Sequence, residues 1–176
     1  MTSRPRNSMA AVLTLLMTGA IWLSVVFGIF AFVFLGIGLV ASLNDGALQV
    51  PGAQAISEVS ALDFAFVLVG LAIVLPGVVY VCLQLRRILS TLAEGDPFVP
   101  ENAGRLSMIA IALAVMEVAS MLLVISMRLF AAPGETVARP ALSINLVVWA
   151  AVAALLVLSQ VFREGTRLRE EEKMTI

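Results

Sequence analysis

The chain has no histidine and a single cysteine among its 176 residues, and charged residues make up only 13% of it. Without histidine there is no imidazole to ligate haem, zinc or copper, and the lone Cys82 cannot close an internal disulfide. No metal site and no cofactor is expected, and Cys82, set in an apolar run, reads as a small packed residue. There is no glycine-rich phosphate loop followed by lysine, no cysteine pair and no pair of acids inside any apolar run. No catalytic constellation can be assembled from what remains, so the chain is read as a non-enzyme. With 11 Lys and Arg against 12 Asp and Glu, it also lacks the basic field that would hold nucleic acid directly.

What is present is oil. Hydrophobic residues reach 61%, against about 45 to 50% in soluble domains, so lipid is read as the main solvent. Uncharged or nearly uncharged runs at 13–40, 64–85, 106–127 and 141–162 each match or exceed the roughly 20 residues that cross a hydrocarbon core. The expected fold is all-α: a polytopic membrane protein with four transmembrane helices in one bundle and a single domain over 1–176. The first run is longer than the roughly 7 to 15 apolar residues of a signal peptide and is expected to be retained. Its Gly19, Gly28, Gly36 and Gly38 would permit close helix contact, while Trp22 and Phe27, Phe30, Phe32 and Phe34 would pack or face lipid. In the second run, Pro76-Gly77 should bend the helix and free the carbonyl of Ala72.

Basic residues set the orientation. Arg4, Arg6, Arg86, Arg87, Arg105, Arg163, Arg167, Arg169 and Lys173 fall on one side, and Arg128 and Arg139 on the other. By the positive-inside rule the first side is cytoplasmic, which puts both termini, the loop 86–105 and the tail 163–176 inside. The loop reads as a helix, a break and a helix. Arg86 to Ala93 continues a helical pattern with Ile88, Leu89 and Leu92 on one side. Gly95 and Pro97 end it, and Pro100 with Glu101 suits the first turn of the next helix. The tail alternates arginine and glutamate and is expected to extend the fourth helix, with a break or softening near Gly165. Two readings stay open for loop and tail: arginines snorkelling at headgroups beside solvated glutamates, or a docking surface built with Phe98.

Glu117 is the ionisable group set deepest in a run. A charge at mid-bilayer costs about 2.5 to 3.5 kcal/mol on insertion scales, so it should be neutral or paired. The helical repeat Ala110, Ala114, Glu117, Met121, Val124 turns it toward other helices. Its possible partners are Ser24 and the Ala72 carbonyl at similar depth, and Asn145 roughly 8 Å nearer the outside by helical rise. Glu117, Asn145 and Ser24 thus make up a candidate intramembrane polar site, either proton-responsive or simply an interhelical hydrogen bond.

Two motifs carry a resemblance. Gly95, Pro97, Phe98, Asn102, Arg105 and Leu106 read as GxPFxxxNxxRL between the second and third runs. Phe162, Arg163, Glu164 and Gly165, then Leu168, Arg169, Glu170 and Glu171, then Thr175 and Ile176, read as FREGxxLREExxxT plus an aliphatic residue. In that order and with that spacing of apolar runs, the chain resembles a bacterial four-span membrane family catalogued as a domain of unknown function, number 2975. It departs from the pattern at Lys173, where an acid is expected. The resemblance implies a bacterial inner-membrane protein, often encoded beside a small helix-turn-helix regulator. Three functions follow as expectations. One is a regulatory or interaction protein that presents loop and tail to such a cytosolic partner. Another is a small carrier or channel, a homo-oligomer using Glu117. The third is an accessory packing subunit of a membrane complex.

Overall fold

A computed structural model of the chain describes residues 8–43, 60–94, 98–130 and 143–174. The described residues form four helices and no strand: α1 (Ser8–Leu43), α2 (Ala61–Ala93), α3 (Pro100–Leu129) and α4 (Leu146–Met174). All four are long and apolar enough to cross a membrane, which makes this a multi-pass membrane protein by length and composition. Gly95, Pro97, Arg4, Arg6, Arg139, Thr175 and Ile176, on which some expectations rest, lie outside the described residues, as does the side chain of Lys173.

The helix ends follow from local chemistry. Ser60 caps α2: its Oγ accepts from Asp63 N at 3.2 Å and lies 3.0 Å from Asp63 Oδ2. Asp63, in the first turn, also complements the helix dipole. α2 runs on past the apolar stretch to Ala93, and the Glu94 N–H closes it on Ser90 O at 3.1 Å. Proline opens α3 and Glu101 sits in its first turn, while Arg128 sits in its last, each sign at the favourable end.

Two expectations about α4 change. The helix starts at Leu146 rather than near Ala141, because Asn145 caps it, its Oδ1 accepting from Val147 N at 3.2 Å. It also passes Gly165 without a break. That glycine faces the ring of Phe98, where a Cβ would lie 3.0 Å from ring carbons, so its role is close approach. Arg167, paired with Glu164 and Glu171 at i,i+3 and i,i+4 spacing, supports the helix across this point.

The helices pack as antiparallel neighbours in chain order, α1 on α2, α2 on α3 and α3 on α4, and no other pair comes within backbone packing distance among the described residues. The sequence suggested one bundle. The described contacts give a row of three pairs, and a bundle closed by α4 returning to α1 is not formed by them. Glycines set two of the seams. At Gly28 and Gly38 of α1 a Cβ would collide with Leu75 and Phe64 of α2, whereas Gly19 and Gly36 face open space. At Gly77 of α2 it would collide with Met116 of α3. Beside Gly28 and Pro76 an apolar cavity of about 420 Å³ lies between α1 and α2, lined by Val25, Ile29, Phe32, Leu75 and Val79 among others.

The core is not at the middle of the spans. Ile88, Leu106 and Ile109 form it, with Leu85, Leu155 and Phe162 packed around, so it lies where α2 ends, α3 begins and α4 runs into its charged stretch. Phe64 and Val152 are buried outside this cluster, but many apolar side chains face outward: Trp22, Phe27, Phe30, Phe32 and Phe34 are all exposed, as lipid-facing residues would be. Cys82 is half-buried.

Candidate functional site: the welded elbow and tail

The end of α2 and the start of α3, residues 86–94 and 98–106, together form the elbow and are held to each other by a chain of hydrogen bonds that begins on α2. Thr91 Oγ1 donates to Ile88 O at 2.7 Å and accepts from Asn102 Nδ2 at 2.7 Å. Asn102 is fully buried, at 0% exposure, and its own N–H donates to Val99 O at 2.9 Å. Its Oδ1 accepts from Arg105 Nη1 at 2.9 Å, and the same nitrogen reaches Arg87 O at 3.4 Å. A buried amide must find partners for both ends, and this one uses them to tie the first turn of α3 to the last turns of α2. The expected side of Ile88, Leu89 and Leu92 is therefore only partly the buried one. Ile88 is buried, Leu92 is exposed, and Thr91 takes the inward place to meet Asn102.

A second tie joins α3 to α4. Ala103 O accepts from Ser159 Oγ at 2.8 Å and from Ser107 Oγ at 3.2 Å, and the two hydroxyls lie 2.7 Å apart. Ser159 is almost wholly buried, so the triangle satisfies hydroxyls that apolar packing alone would leave unpaired. One turn further, the rings of Phe98 and Phe162 stand 5.6 Å apart at 39°, within the range of favourable aromatic pairs. Phe98 also lies over Gly165. Thr166 Oγ1 donates to Phe162 O at 2.9 Å, with a longer approach to Phe98 O at 3.4 Å.

The structure thus brings Phe98 and Leu106 from one motif against Phe162 from the other, with Phe98 also over Gly165, while Asn102 and Arg105 tie the first motif to α2. Arg163, Glu164, Leu168 and Glu171 are exposed, and the two glutamates bracket Arg167 at 2.8 and 3.4 Å. These pairs are more than half exposed and contribute on the order of 0.5 kcal/mol at most each. Sequence reasoning did not single out Thr91, Ser107, Ser159 and Thr166. The available signal was a hydroxyl at helical spacing within an otherwise apolar or motif-bearing face.

The intramembrane candidates separate. Glu117 Oε1 accepts from the backbone N–H of Asn145 at 3.3 Å, and Asn145 Oδ1 accepts from Val147 N and Val148 N at 3.2 and 3.4 Å. Together they satisfy the first donors of α4. Ser24 takes no part: its Oγ donates to Ala20 O at 2.7 Å, and α1 has no packing contact with α3. Ala72, the other proposed partner, is exposed.

No curated protein and no solved structure matches the chain. One family model does, over residues 46–176, which takes in α2, α3, α4 and both motifs. With most of its length matched in this way, the chain belongs to the family described as Protein of unknown function (DUF2975).

Proposed function

We propose that this is a non-enzymatic regulatory or interaction protein of the bacterial inner membrane, with both termini and the elbow in the cytoplasm. Its working surface is the elbow joined to the α4 tail, offered to a cytosolic protein such as a small helix-turn-helix regulator. One observation carries the reading: the two motif segments, distant in the chain, meet through Phe98, Phe162 and Gly165. That joint turns two short polar pieces into one fixed platform. Phe98 is still 41% exposed and Leu168 is 55% exposed, so the platform keeps apolar footholds among its charges. Glu117 supports a carrier less well, because its described contact caps the start of α4 and ends there.

The test is affinity capture from native membranes with the wild-type chain and with Glu170, Glu171 and Glu172 all changed to lysine. We expect the wild type to retain a stoichiometric DNA-binding partner and the variant to lose it. Equal recovery of every cytosolic protein by the two forms would overturn the reading.

A further inference from the structure

We propose that the elbow binds the phosphate of an anionic phospholipid headgroup, with Arg105 as the fixed ligand and Arg86 and Arg87 as its neighbours. The uncharged stretch of α2 covers 64–85, so Arg86 and Arg87 are the first charges met as the helix leaves the apolar region. That is the level of lipid phosphates when the stretch is centred in a bilayer, since 22 residues rise about 33 Å. Both arginines are exposed. Arg167 is paired with Glu164 and Glu171, whereas no carboxylate pairs with Arg86, Arg87 or Arg105 among the described residues.

Arg105 is more than a loose surface charge. Its Nη1 is held by Asn102 Oδ1 at 2.9 Å and by Arg87 O at 3.4 Å, and Asn102 is in turn fixed by Thr91. Holding the guanidinium by Nη1 leaves Nε and Nη2 without a described partner, and these two N–H groups form the parallel fork that fits two oxygens of a phosphate. The ordering cost of that fork is already met by the fold, as preorganised sites require. Two apolar side chains decide for a lipid over a free phosphate. Leu83 and Met108 are exposed within about one turn of Arg87 and Arg105, on the side toward the apolar run, where the acyl chains of a bound lipid would lie. The inference rests on the span assignment and is independent of any partner docking on the tail.

The experiment uses purified full-length protein in neutral detergent, titrated with dioleoylphosphatidylglycerol, dioleoylphosphatidylcholine or glycerol 3-phosphate, with bound lipid counted by native mass spectrometry. Phosphatidylglycerol should bind about tenfold more tightly than phosphatidylcholine, and glycerol 3-phosphate should not displace it. Arg105→Lys keeps the charge but loses the fork, and should bring the two lipids to within about twofold of each other. Arg167→Gln should leave the preference intact. Arg86→Gln with Arg87→Gln, at exposed positions that do not threaten folding, should lower it several-fold. The proposal is overturned if wild-type protein binds both lipids equally, if Arg105→Lys and the double variant both keep the wild-type preference, or if glycerol 3-phosphate competes as well as the lipid.

Discussion

Asn102 shows how much one amide can hold in place. Replacing it with alanine leaves Thr91 Oγ1 and Arg105 Nη1 without their buried partner and opens a gap between α2 and α3. A buried polar group stripped of its partner costs about 1 to 3 kcal/mol, so Asn102→Ala should lower the thermal midpoint in detergent by several degrees. An unchanged midpoint in a scan followed by tryptophan fluorescence would contradict this account. Glu117 allows a sharper comparison. Its described contact needs only an acceptor oxygen, which glutamine also supplies. Glu117→Gln should therefore behave like wild type, and Glu117→Leu should lose about 0.5 to 2 kcal/mol, the usual worth of a capping group. Hydrogen exchange at residues 145–148 should quicken in the leucine variant alone. If glutamine were as damaging as leucine, charge would matter and the proton-responsive reading would return.

At the scale of elements, most helix ends could be read from residue types. Proline followed by Glu101 announced the start of α3, and the charged stretch from Arg86 announced that α2 continues beyond its apolar run. The neighbours of each helix could not be read. α1 is apolar on every side, so no stripe marks the face that meets α2, and only the collisions at Gly28 and Gly38 reveal it. Gly165 misled for a related reason. A glycine in a charged helix signals a break when nothing approaches it, and here the Phe98 ring does. Of the polar candidates, depth along the helix suggested Ser24 for Glu117, but a row of helices keeps α1 away from α3. These points give a prediction for the first seam. In a Cys82→Ala background, Val25→Cys and Val79→Cys, which line one cavity between α1 and α2, should be joined by a short bismaleimide. Adding Gly28→Leu and Gly38→Leu should push the helices apart and largely abolish the cross-link. An undiminished yield would show that the seam does not depend on these glycines.

For the molecule as a whole, the serial antiparallel row places the elbow and the end of α4 at one end, and the end of α3 with the start of α4 at the other. Single cysteines at Glu94 and Met174, again with Cys82→Ala, should react with an impermeant maleimide from one side of the membrane, and cysteines at Leu129 and Ser143 from the opposite side. Reaction of Glu94→Cys and Met174→Cys from different sides would dismantle both the orientation and the platform. The position of the core has a bearing on how the protein is made. Val81, Leu85 and Leu113 already pack on Ile88, Leu106 and Ile109, and the cover is completed when Leu155 and Phe162 arrive from α4. A growing chain that has already threaded three helices into the bilayer therefore still carries an uncovered apolar notch beside Ser107, whose hydroxyl partner Ser159 has yet to be translated. Ribosome stalling within α4 would strand an intermediate in that state, so membrane proteases that survey half-made proteins would find their recognition point at the elbow and not in the loops on the far side.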